Sequence, residues 1–215
     1  MSDTLKLDST SVSSLSEDSE RKAVDPEDVN WVIRNRRSTK PRCLNGEKIE
    51  DEIVWQILEN ANWAPTHGLT QPWRFKVFTG EGLHTLANFQ ADLYKKLTPE
   101  SSFKADKYKR MKTNVLSASH VIVICMKRQQ SEKLPEVEEI EAIACSVQNM
   151  ALTATAYGVC SFWGSGGVTY TEELKDFLGL EERDRCFGYL YLGYSDTPAK
   201  DSSRSPIQSK VEWFG

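Results

Sequence analysis

The chain has 215 residues, with 27 Lys and Arg against 31 Asp and Glu, a formal charge of −4, and 39% hydrophobic residues. This is an ordinary globular composition with room for one domain and its core, and it needs no disulfide staples. The mild acidic balance removes the simplest case for nucleic-acid binding, and no apolar run approaches the roughly 18 residues of a membrane-spanning helix.

The first residues mix Ser with acidic side chains and lack the basic start and apolar stretch of a secretory signal, so a cytoplasmic location is expected. Residues 1–24 carry too little apolar surface to offset the entropy of ordering and read as a flexible tail before a domain over 25–215. The five cysteines are odd in number, lie far apart and include no C-x-x-C; with only three histidines, neither a zinc site nor a disulfide framework is predicted.

Asp25-Pro26 has the form of a helix start, and Val29, Val32 and Ile33 then fall on one face of a helix running to Asn35. A second helix spans Asp51 to Trp63, where Ile53, Val54, Ile57, Leu58 and Ala61 keep helical period until Pro65. Trp73 to Thr79 alternates as a strand and exits at Gly80. Two polar helices follow, near 83–97 and 103–117. His120 to Lys127 reads as a strand buried on both faces.

The most apolar helix runs from Val137 to Tyr157 and stops at Gly158. A short strand, Val159 to Trp163, leads into the turn Gly164-Ser165-Gly166-Gly167. Thr171 caps a helix ending at Gly179, and Cys186 to Tyr194 is the last strand. The tail to Gly215 has no clear period, yet Val211, Trp213 and Phe214 are apolar enough to seek a partner surface.

Three segments can carry chemistry. Arg36-Arg37-Ser38-Thr39-Lys40 can grip a phosphate with guanidinium forks and hydroxyls, or serve as a solvated basic turn at the end of the first helix. Trp63 to Trp73 is a loop holding His67 and Gln71 between prolines; it can line a flat aromatic ligand, or act as a rigid connector with its tryptophans in the core. In Phe162 to Gly167, glycines after a strand let backbone N–H groups approach a ligand, but the segment has neither the P-loop nor the G-x-G-x-x-G spacing.

Taken together, the order of these segments resembles the nitroreductase family of flavin enzymes, in its short NAD(P)H nitroreductase branch. Arg36-Arg37-Ser38-Thr39-Lys40 is similar to that family's Arg-x-Ser-x-Lys/Arg segment. Ala64-Pro65-Thr66-His67 with Gln71-Pro72-Trp73 is similar to its Ala-Pro-x-His-x-x-x-Gln-Pro-Trp loop, and Gly188 to Gly193 to its late strand. The resemblance covers roughly residues 28–196 and rests most on the Gln-Pro-Trp loop.

It implies an α+β fold, a central mostly antiparallel sheet flanked by helices, in an intertwined homodimer with FMN at the interface. Arg36 and Ser38 would meet the FMN phosphate and ribityl chain, with Arg37 contributing backbone or side chain. Lys40 would sit at the N1/O2 edge of the flavin. His67 and Gln71 would reach the ring from the partner subunit, while Trp163, Gly164 and Ser165 would cover it near N5.

The branch carries an Arg after the Trp of its third motif, where this chain has Gly164, and Lys200 or Arg204 is the expected replacement. Thr153 to Gly158 is similar to a stretch associated with nicotinamide nucleotide; close helix packing explains its alanines equally well. The seven basic and two acidic side chains from Lys95 to Lys112 can attract the phosphates of NAD(P)H, or form a solvated helix face. Glu132 to Glu141 reads as an acidic helix start favoured by the dipole.

The implied activity is ping-pong reduction of nitroaromatic, quinone or similar electron-poor acceptors, with NAD(P)H as electron donor. The alternatives are other flavin chemistry on the same fold, such as dehalogenation or flavin breakdown, and a flavin-binding redox sensor with little turnover. No side chain is assigned as catalytic acid or base, because the cofactor carries the chemistry.

Overall fold

The computed structural model describes residues 24–131, 133–199 and 201–215. The tail expected over residues 1–24 therefore lies, except for Val24, outside the described residues, as do Glu132 and Lys200. Six α-helices accompany four strands in the described chain: α1 Pro26–Asn35, α2 Asp51–Asn62, β1 Trp73–Thr79, α3 Glu81–Leu97, α4 Ala105–Leu116, β2 His120–Met126, α5 Glu136–Ala156, β3 Cys160–Gly164, α6 Glu172–Leu178 and β4 Arg185–Gly193. Every helix and strand expected from periodicity is present, with ends shifted by one or two residues. The short 3-10 turns at Pro41–Cys43, His67–Leu69, Glu100–Ser102 and Ile207–Lys210 have no periodic signature and were not expected.

The helix ends follow local chemistry. The Asp25 carboxylate accepts the Glu27 N–H ahead of Pro26, and the Thr171 hydroxyl accepts the Leu174 N–H at 3.3 Å. Gly179 then closes α6 in the left-handed region, at φ 64°.

The strands form one antiparallel sheet in the order β1-β2-β4-β3. All seven residues of β2 are buried, as a central strand covered on both faces must be. Its alternation divides the core in two. Ile122, Ile124 and Met126 pack with Leu190 and Leu192 against α2 and α5, through Val54, Ile57, Ile143, Val147 and Met150. Val121, Val123 and Cys125 face the other way, with Tyr189 and Tyr191, onto α3, α4 and α6 through Leu86, Val115 and Leu174. The result is three layers, helix pair, sheet and helix group.

The register of β2 against β4 is interrupted at one point. Between Ile124 and Cys125 the partner on β4 skips from Gly188 to Cys186, so Phe187 is an extra, bulged residue. Cys125 and Cys186 face each other at this bulge as buried free thiols.

A large apolar surface remains uncovered. Of the expected apolar face of α1, Val32 is half-buried where the helix touches α5, while Val29 and Ile33 are exposed, as is Trp31, and no residue of the helix is fully buried. Trp55 on α2 and Trp213 and Phe214 in the tail are exposed as well. No described helix is long and apolar enough to cross a membrane.

Candidate functional site

The Arg36–Lys40 segment leaves α1 and runs along the free edge of β3. Ser38 makes a parallel bridge with Ser161, and the Thr39 N–H donates to the Ser161 carbonyl at 2.9 Å. This lattice fixes the backbone while the side chains stay available: Ser38 and Lys40 are exposed, Arg36 and Arg37 half-buried. Arg36 reaches the Ser38 hydroxyl at 3.5 Å, and Arg37 folds back onto the carbonyls of Arg34 and Arg36. Lys40 then leads into the Pro41–Cys43 turn, which the Ser117 hydroxyl secures by donating to the Pro41 carbonyl at 2.8 Å.

At the far end of β3 the chain turns through Gly164 to Gly167. The exposed Trp163 indole N–H donates to the carbonyl of the bulged Phe187 at 2.9 Å, so the bulge supplies the acceptor that orients this ring. Gly188, at φ 106°, lies under Gly164 in a conformation that side chains rarely adopt.

Between these two segments lies a cavity of about 460 Å³, within the usual range for small-molecule sites. Lys40 and Arg42 line it from one side, and Gly164, Ser165, Gly166 and Gly167 from another. The aromatic rings of Phe162, Tyr189 and Tyr191 form its sheet wall, and α3 and α4 close it with Gln90, Lys107, Arg110, Met111 and Asn114. Burial pushes the Tyr191 hydroxyl up to about 12 and that of Tyr189 higher still, so both stay neutral.

Lys40, Gly164 and Ser165 are thus brought together, with Trp163 beside them. Sequence reasoning missed Gln90, Arg42, Tyr189 and Tyr191; the two tyrosines were legible as same-face residues of the quoted Gly188–Gly193 strand. It treated Lys107 and Arg110 as part of a basic stretch without placing them at a site.

His67 and Gln71 are elsewhere. Ser38 stands in the row Ser161, Leu192, His120, Thr79 across the sheet, whereas Gln71 precedes Trp73, whose row is Trp73, Met126, Arg185. These rows lie at opposite ends of the strands, about 20 Å apart along β2, and β1 and β3 are the two edges, about 14 Å apart. Ser38 and Gln71 therefore occupy diagonal corners of the sheet, whereas Gly164 lies in the intermediate row of Tyr189, Val123 and Lys76.

The loop at the second corner is tightly held. Leu69 and Gln71 have positive φ of 52° and 44°. The Gln71 N–H donates to the Thr66 hydroxyl at 3.2 Å, and Arg74 donates to the Gln71 carbonyl at 3.0 Å. Strained backbone of this kind persists where surrounding bonds over-determine it. The exposed His67 ring bonds Glu138 at the start of α5. Trp73 is buried and Trp63 exposed, so the tryptophans of this loop divide between core and surface. Arg204 lies in the exposed tail and, among the described residues, bonds its neighbours Ser202 and Ser203.

An antiparallel sheet between two helical layers, with a basic segment on its edge strand facing a glycine turn across an aromatic-walled cavity, defines the α+β class of the nitroreductase-like fold. The Nitroreductase family profile matches residues 33–194, well over half of the chain, and the chain belongs to that family. It is 27% identical over 180 residues to the Bacillus subtilis protein named "Putative NAD(P)H nitroreductase YfhC", covering 83% of this chain and 90% of that one. The crystal structure of a nitroreductase-like family protein from Bacillus cereus superposes with a TM-score of 0.74 at 29% identity, covering 86% of this chain and 95% of that one. A "putative nitroreductase in complex with FMN" from Desulfovibrio desulfuricans superposes with a TM-score of 0.65 at 26% identity, covering 90% of this chain and 100% of that one.

Proposed function

We propose that the protein is an FMN-dependent oxidoreductase that takes hydride from NAD(P)H and reduces nitroaromatic, quinone or similar electron-poor acceptors, as a homodimer with two shared sites. The observation that carries this reading is the cavity in which Lys40 faces the Gly164–Gly167 turn across Phe162, Tyr189 and Tyr191. The Desulfovibrio relative crystallised with FMN and the naming of the Bacillus subtilis relative support the cofactor and the donor.

The residues present suit a flavin. The aromatic wall matches a flat ring, the glycine turn exposes backbone donors, and Arg36 with Ser38 forms a cation and hydroxyl pair suited to a phosphate. Held by these residues, FMN would supply the two-electron redox chemistry of a ping-pong exchange between donor and acceptor. Lys40 places a positive charge in the cavity wall, where it stabilises negative charge on a reduced ring. Phe162, Tyr189 and Tyr191 exclude water from that face.

The diagonal placement of His67 and Gln71 supports a site built from two chains, in which each copy contributes one corner to each cavity. The uncovered apolar residues of α1 and of the tail give the second copy a surface to bind, with Arg204 carried on that tail.

The test is direct. The purified protein is expected to be yellow or to take up added FMN, and anaerobic NADH or NADPH is expected to bleach it. A colourless protein that does not retain FMN overturns the reading.

A further inference from the structure

Four cations, Lys40, Arg42, Lys107 and Arg110, line this cavity, and no carboxylate does. Among the described residues none of the four takes part in an ion pair. In a chain of net charge −4 this local excess is not compositional. Lys107 is held in place by the Tyr94 ring, with its ammonium 4.4 Å from the ring centroid. Gln90, on the neighbouring α3, is only 4% exposed, and its side-chain nitrogen lies buried without a hydrogen-bond partner. A buried amide donor left unpaired is costly, and a ligand oxygen would satisfy it.

Of these four cations, the proposed flavin site uses Lys40 alone. The α3–α4 wall therefore presents a second set of donors, Gln90, Lys107 and Arg110, with Arg42 opposite them. We infer that this wall is an oxyanion subsite that selects substrates carrying a carboxylate or phosphate beside the group that exchanges electrons. The guanidinium of Arg110 suits a planar or tetrahedral oxyanion, Lys107 adds charge, and Gln90 supplies a neutral donor in the buried part. This rests on the functional reading of the same cavity and names the substrate class it takes. The oxyanion can belong to the acceptor, as a ring carboxylate, or to the donor, as the extra phosphate of NADPH.

The FMN-loaded protein is used for both half-reactions. Enzyme reduced with dithionite is reoxidised anaerobically by 4-nitrobenzoate or by its neutral amide, 4-nitrobenzamide. Oxidised enzyme is bleached by NADPH or by NADH. Menadione, a neutral quinone, reports whether reduced enzyme passes on electrons at all. Wild-type protein is expected to prefer the member carrying the extra negative group in one pair by about tenfold or more in apparent second-order rate constant, as one charge-assisted contact would give. Arg110→Ala, Lys107→Gln and Gln90→Leu are each expected to shrink that ratio at least threefold, with bound FMN per chain confirming an assembled site.

A charge preference confined to the nitro pair assigns the subsite to the acceptor, and one confined to the nucleotides assigns it to the donor. Ratios near one for both pairs in wild-type protein, or ratios that none of the three substitutions changes, overturn the inference. Failure to hold FMN or to reduce menadione overturns the functional reading instead, so the two failures are distinct.

Discussion

Gly188 passes so close beneath Gly164 that a methyl group built on its Cα would lie 2.3 Å from the Gly164 carbonyl oxygen. No side chain fits there without moving the backbone of the turn, and φ 106° is itself unfavourable for any residue with a Cβ. Gly188→Ala is expected to cost about 1–3 kcal/mol, read as a lower urea midpoint. It is also expected to weaken FMN retention, because Ser165 and Gly166 move with the turn. An unchanged midpoint would show that β3 and β4 separate freely.

Glu139 is almost wholly buried, 2% exposed, and bonds the Arg128 guanidinium beside it while accepting the Gln129 N–H at 3.3 Å. The same guanidinium donates to the Leu134 carbonyl at 2.8 Å, and the Arg128 N–H reaches Asp184 at 3.1 Å. The pair thus ties the exit of β2 to the first turns of α5. Removing one partner leaves an uncompensated buried charge, so Glu139→Ala is expected to destabilise by about 3–5 kcal/mol in chemical denaturation. A loss below about 1 kcal/mol would mean that water reaches Arg128 freely.

His120 titrates in the opposite sense to a histidine that gains a partner. The residue is 2% exposed, and burial lowers its pKa from the ordinary 6.5, with Asp51, 3.6 Å away, opposing the shift and Lys48 adding to it. The Ser119 hydroxyl accepts the Ile49 N–H and shares a 2.9 Å hydrogen bond with His120 Nδ1, which holds the ring in place. As pH falls through the ordinary value the unfolded chain takes up this proton before the folded one does. Stability therefore declines as pH falls through the ordinary value of about 6.5. His120→Gln is expected to flatten that part of the urea-midpoint profile, whatever its effect at neutral pH; an unchanged slope would assign the decline to other groups.

The proposed sharing of sites between two chains makes a prediction of its own. Arg36→Ala and Gln71→Ala homodimers are each expected to lose FMN affinity about tenfold or more. Dimers formed from one chain of each kind contain one site with both defects and one with neither. Equal mixing therefore restores wild-type affinity in about a quarter of all sites, by the symmetry of a two-fold interface. No recovery on mixing would place both residues in a site of one chain.

The strands were legible because their signals are strong: β1 begins and ends at Trp73 and Thr79 as alternation and Gly80 indicate, and β2 shows the unbroken apolar run of a doubly covered strand. The order β1-β2-β4-β3 was not, because pairing joins residues far apart in the chain, such as Trp73 with Met126. Glu139 read as one of several acids favoured by a helix dipole. Only the meeting of α5 with Arg128 turns it into a buried ion pair. In the same way Lys107 and Arg110 belong to a stretch that reads either as attracting nucleotide phosphates or as a solvated helix face, and nothing local distinguishes them from Lys109. Their helical phase against β3 and β4 makes the difference. The apolar side of α1 was legible from its period, but the period does not tell that only Val32 of it would pack on the chain while Val29 and Ile33 stay exposed.

The cluster of Lys40, Arg42, Lys107 and Arg110 has a kinetic side as well. The net charge of −4 disfavours anions overall, whereas four cations and no carboxylate line this one cavity. Negatively charged small molecules are then guided to its mouth, and their encounter rate is set by the local field more than by the size of the opening. Such guidance weakens as ionic strength rises and the Debye length contracts to about 10 Å at 0.1 M. Capture of charged ligands should therefore slow with added salt while that of neutral quinones does not.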